Sequence, residues 1–140
     1  MRLWRMAAAV FAMSPAGMTH AESCLHYTEP VHVVGTLAKS TVPGPPNWES
    51  VADGDEPQIA WFLMPAQPVC TKENPHRKGI DLAFRNVAVL HLYFDDDLSG
   101  RFHSLLNTHV AVTGWINSGV WAWDRSPVVL KVTDLRPARP

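Results

Sequence analysis

Trp121 and Trp123 flank Ala122 in the run GVWAWD, so in extended backbone both side chains leave the same face. Paired aromatics on a loop can stack on a sugar, a base or a partner protein, and tryptophan is enriched at the centres of protein interfaces. The plainer alternative is that they cap and shield a core. Arg125 lies two residues on, and Trp48 and Trp115 are the further candidates for the same contact surface. Trp61, inside the apolar run IAWFLM, is expected in the core.

The titratable and nucleophilic side chains are less suggestive. His26, His32, His76, His91, His103 and His109 form no H-E-x-x-H or other tight ligand spacing. Convergence of His91, His103 and His109 with Asp95, Asp96 and Asp97 would make a metal-dependent enzyme or metal-binding protein the third reading of the function. Strand and loop positions do not establish it, so no metal ligand is assigned. The three aspartates lack the alternating pattern of a helix-loop-helix calcium site and read as a solvated turn. No serine sits in G-x-S-x-G, Asp53 and Asp55 lie in a polar loop, and there is no glycine-rich phosphate loop. No catalytic residue and no cofactor are therefore assigned, and the chain is read as not an enzyme.

Residues 1–21 have the three regions of a cleavable export signal: Arg2 and Arg5, the apolar run MAAAVFAM, and small residues at Thr19 and Ala21. The apolar run is far shorter than the roughly 20 residues a spanning helix needs, so no integral membrane segment is expected after cleavage. Glu22 in the stretch before Cys24 argues against lipidation. Cleavage would leave residues 22–140, read as one domain in the periplasm or secreted. It would also move the formal charge from -1 to -3, since two of the 12 basic side chains go and all 13 acidic ones stay. That balance, without a basic stripe, excludes nucleic acid as a partner. Two cysteines in an oxidising compartment are expected to form one disulfide, Cys24 to Cys70, tying the mature start to the segment after the second strand.

Five strands must position these groups. Residues 31–37 (VHVVGTL) place Val31, Val33 and Leu37 on one face, and residues 59–64 (IAWFLM) follow after a loop rich in proline and glycine that carries Trp48. Residues 87–94 are the strongest β signal, residues 98–107 form one or two irregular helical turns with Phe102, Leu105 and Leu106 inward, and residues 109–116 and 127–133 are the last strands. Gly35 and Gly114 fall inside strands, where glycine marks a bend, a bulge or a close backbone approach. With no convincing long helix, the expected class is all-β: a five-stranded oligonucleotide/oligosaccharide-binding-like (OB-fold-like) small β-barrel with one disulfide, a two-sheet sandwich being the competitor.

The order of Cys24, VHVVGTL, PGPPNWES (residues 43–50), GDEP, FLMPAQPVC ending at Cys70, VAVLHLYF, HVAVTGWI and SPVVLKV resembles domain of unknown function 4431, a family of small exported bacterial domains. The likeness spans nearly all the mature chain, residues 24–135. It implies a small barrel and an exported location more firmly than an activity. Members of that family are often histidine-rich just before the closing strand, whereas this chain has Trp121, Ala122, Trp123, Asp124 and Arg125 there. The departure moves attention from metal to an aromatic contact surface. The leading expectation is a non-catalytic periplasmic binding or accessory protein that meets a periplasmic protein or cell-envelope component, for instance as an inhibitor or immunity protein. A small-ligand or oligosaccharide-binding barrel is the second.

Overall fold

The computed structural model describes residues 23–139; the expected export signal lies outside the described residues. In chain order the elements are β1 (Leu25–His26), β2 (Val31–Pro43), β3 (Pro57–Pro65), β4 (Thr71–Lys72), β5 (Leu90–Tyr93), α1 (Asp96–Phe102), a 3-10 turn (His103–Leu105), β6 (His109–Ser118) and β7 (Val128–Pro137). β1 and β4 form a short parallel pair beside the main sheet. In the main sheet β2, β3, β5, β7 and β6 are neighbours in that order, and β6 pairs back onto β2.

β2 is long because it serves two partners. Its first part, residues 31–36, pairs with β6, and residues 35–43 pair with β3. Gly35 is where the partners change, and a Cβ there would lie 2.3 Å from the Met64 carbonyl oxygen, so only glycine lets the two backbones approach. Gly114 marks the second irregularity: the β6–β7 register shifts between Thr113 and Gly114, and a Cβ would meet the Lys131 carbonyl oxygen at 2.1 Å.

Alternation puts Val31, Val33, Leu37, Leu63, Leu90, Leu92, Val110, Val112, Ile116, Val128, Leu130 and Val132 into one core, with Trp61 and Phe102 joining them. The N-terminal segment is fastened to this core by the Cys24–Cys70 disulfide, formed with Cα atoms 4.5 Å apart. A polar knot adds to it, in which the buried Tyr27 hydroxyl donates to the Leu82 carbonyl at 2.8 Å and meets Ser118 Oγ at 3.2 Å.

The expectation of an all-β, OB-fold-like small barrel is corrected in its class: the five main strands do close on one another, β6 pairing back onto β2, but a helix interrupts them, so the arrangement is mixed α/β. A seven-residue helix and a 3-10 turn stand between β5 and β6, and β5 runs parallel to β7 within an otherwise antiparallel sheet. The helix begins at the aspartate run that reads as a plain solvated turn. Acidic groups are favoured where the first N–H groups of a helix are unpaired, while Phe102 at its far end is drawn into the core. β5, the third strand expected from the sequence, is also shorter than its β-rich run suggests. It covers Leu90–Tyr93 alone, because Val87 leaves the sheet to make an isolated bridge with Val69. Among the described residues no helix is long and apolar enough to cross a membrane.

Candidate functional site

Two loops meet beside β3 and β5. The first, residues 44–56, joins β2 to β3 and is organised around one carboxylate. Asp55 is buried, and its Oδ1 accepts the Asn47 N–H at 2.8 Å while Oδ2 accepts those of Glu49 at 2.8 Å and Ser50 at 2.9 Å. The Ser50 N–H lowers its pKa most; burial opposes, and the N–H groups of Glu49 and Asn47 lower it further. The loop therefore folds about a charged carboxylate and presents Trp48, which takes the left-handed conformation at φ 64°.

Residues 119–127 form the second loop, between β6 and β7, closed at its neck by the Gly119 N–H on the Pro127 carbonyl at 2.8 Å. Asp124 shapes it: Oδ2 accepts the Trp121 N–H at 2.9 Å and Oδ1 the Tyr93 hydroxyl at 2.6 Å. The backbone is a turn rather than the extended run read from GVWAWD, yet the two tryptophans still share a side. Trp121 and Trp123 stack with centroids 5.2 Å apart and planes within 4° of parallel. Trp123 also meets Trp48 at 5.9 Å with planes tilted by 56°, forming an open aromatic wedge.

Arg125 couples the loops. Its guanidinium donates through Nη1 to the Trp48 carbonyl at 3.2 Å and through Nη2 to the Pro43 carbonyl, and Cζ stands 5.9 Å from the Trp48 ring centre. On the backbone side, the Arg125 N–H donates to His91 Nδ1 at 3.2 Å, which places the ring proton on Nε2. The His91 N–H in turn donates to Ser126 Oγ at 2.8 Å. His91 is buried between Phe62 and Tyr93, with centroids at 5.4 Å and 4.5 Å. Burial lowers its pKa chiefly, the Asp124 charge opposes this, and the Arg125 charge adds to the lowering. Burial, followed by the hydrogen bond to Asp124 and its charge, raises that of Tyr93, with Arg125 opposing.

Between the loops, β3 and β5 lies a groove of about 550 Å³, within the range of roughly 300–1,000 Å³ usual for ligand clefts. Trp48 and Trp123 line it from the loops, Trp61 and His91 among others reach it from the strands, and Arg125 completes the wall with Gln58 and Ile59. A smaller groove of about 250 Å³, lined by Trp121 and Asp124, shares Tyr93 and Trp123 with the first. His91, Tyr93, Asp124 and Ser126 already hold partners within the protein, so the surface on offer is chiefly aromatic.

Of the residues singled out in the sequence, Trp48, Trp121, Trp123 and Arg125 come together and Trp115 does not. Trp115 is exposed on β6 opposite Lys131 and lines neither groove. Trp61 is buried, as its apolar run suggests. His103 packs edge-on against Trp61, His109 opens β6 on the surface, and His91 lines the groove from β5. Among the described residues no group of three or more histidine, cysteine or acidic side chains is placed to hold a metal. Sequence reasoning missed Tyr93, Asp124, Asp55 and the role of His91. For Tyr93, Asp124 and His91 the reason is that their partners are far along the chain. Comparison of the chain with protein-family models, curated proteins and solved structures finds no match.

Proposed function

We propose that this protein is a non-catalytic binding or accessory protein of the bacterial periplasm or exterior, using the aromatic wedge of Trp48, Trp121 and Trp123 to hold a protein or cell-envelope partner. The observation that carries the reading is two loops spent on presenting tryptophans. Trp121 is 62% and Trp123 42% exposed, an arrangement that leaves large apolar surface in water. Asp55 and Asp124 fix the backbone behind them, so the surface is ordered before a partner arrives, which lowers the cost of binding. The disulfide and the export signal read at residues 1–21 support the compartment, as does the resemblance to small exported domains.

A pull-down from periplasmic extract with wild type and the double variant Trp121→Ala/Trp123→Ala tests the reading. Wild type retains a partner that the variant loses by about tenfold or more; equal recovery of every partner by both proteins refutes the wedge as the contact.

A further inference from the structure

The side of β3 that faces the groove has an unpaired edge. β3 pairs with β2 along its whole length, from Pro57 to Pro65, but with β5 only over Trp61, Phe62 and Leu63. Among the described residues, 57–60 therefore have β2 on one side and no strand on the other, and Gln58, Ile59 and Ala60 line the groove there. An unpaired edge carrying the exposed Ile59, at 59%, is a template for one more strand.

Charge narrows the occupant. Among the described residues Arg125 is the one formally charged side chain lining this groove, and none of them brings a carboxylate to it. The neighbouring Asp124 carboxylate is taken up by the Tyr93 hydroxyl and the Trp121 N–H and lines the smaller groove instead. The single ion pair among the described residues, Arg77 with Asp81, lies elsewhere. The hydrogen bonds of the Arg125 guanidinium go to neutral carbonyls, and its buried Nε–H has no partner. One of those carbonyls is that of Pro43, which pairs with Pro57, so the cation stands at the end of the open edge without a carboxylate in contact among the described residues.

We propose that the groove takes an extended peptide segment carrying a carboxylate, added as a strand along residues 57–60 of β3, with its acidic group toward Arg125 and an apolar side chain between Trp48 and Trp123. Backbone pairing supplies affinity, and the wedge and the cation supply register. The proposal rests on the aromatic end being a binding surface and names what that surface holds.

The test is titration of the purified protein, followed by intrinsic tryptophan fluorescence, with an acetylated hexapeptide of alternating valine and threonine ending in aspartate. Three comparators accompany it: the peptide ending in asparagine amide, the peptide N-methylated at alternate positions, and a carboxylated disaccharide. The acidic peptide saturates the signal, each modified peptide binds at least about tenfold more weakly, and the disaccharide gives no saturable change. Trp123→Ala, an exposed position, removes the response while leaving the far-ultraviolet circular dichroism spectrum unchanged. Equal binding by the N-methylated peptide overturns strand addition, equal binding by the neutral peptide overturns the role of Arg125, and saturation by the disaccharide alone overturns the choice of ligand. If no peptide binds while the double tryptophan variant still loses its partner, the strand proposal falls and the wedge reading stands.

Discussion

Arg125→Met tests whether the two loops are held together by one side chain. The guanidinium bonds the backbone carbonyls of Pro43 and Trp48, and each charge-assisted bond is worth about 1.5–3 kcal/mol when one partner is deleted. Both carbonyls belong to a partly exposed segment, where water can replace the donor, so the low end applies and the pair contributes about 3 kcal/mol. The Trp48 ring beside Cζ adds about 0.5–1 kcal/mol, part of which the methionine side chain recovers by packing. The expected loss is about 3 kcal/mol, or a fall in Tm of about 10 °C for a domain of this size. Urea unfolding followed by tryptophan fluorescence and by circular dichroism measures it, and Arg125→Lys serves as comparator because it keeps the charge without the planar fork. Lysine should recover less than half of the loss. A destabilisation below about 0.5 kcal/mol for Arg125→Met would show that the loops dock without this bridge and would refute the reasoning.

Four further outcomes rest on the same structure. The pKa of His91 is lowered on folding, so the stability tied to its neutral form is complete above the ordinary value of 6.5 and is lost as pH falls toward the folded value. Thermal unfolding from about pH 8 to pH 5 should therefore show a steeper loss for wild type than for His91→Gln, and parallel curves would contradict it. Reducing Cys24–Cys70 releases a span of 46 residues and should cost about 4 kcal/mol on the chain-entropy estimate, read as a lower urea midpoint in the presence of reductant. Asp55→Asn replaces one acceptor oxygen by a donor in a site built of N–H groups, so Tm should drop by several degrees and the Trp48 emission should shift; an unchanged spectrum would speak against Asp55 as the loop's organiser. Gly114→Ala sets a Cβ against the Lys131 carbonyl, and a loss of about 2 kcal/mol or more is expected in equilibrium unfolding.

Much of the strand layout is visible in the sequence because alternation has a short period and needs no knowledge of distant partners. Val31, Val33 and Leu37 share a buried face, Val110, Val112 and Ile116 another, and Val128, Leu130 and Val132 a third. Gly35 and Gly114 are equally legible, since a glycine within a β-branched run has few reasons to be there besides a close approach or a bulge. The helix is less so. Its seven residues contain Gly100 and two of the three aspartates, and its position depends on Phe102 finding the core. The length of β2 is hidden because polar residues and a closing proline disguise its second half, where pairing with β3 rather than hydrophobicity holds the strand.

The sequence by itself determined the supply of aromatic side chains, the cysteine pair and the phase of each strand, all of which depend on residue type and local spacing. Tertiary structure alone decided which tryptophans meet. Trp48 and Trp123 are 75 positions apart and touch because Arg125 spans the two loops, whereas Trp115, only eight positions before Trp123, faces elsewhere because β6 turns it outward. Hydrogen bonds from Tyr93 to Asp124 and from Arg125 to His91 join residues more than 30 positions apart. Such pairings follow from the order in which strands pack, and no local pattern in the chain encodes that order.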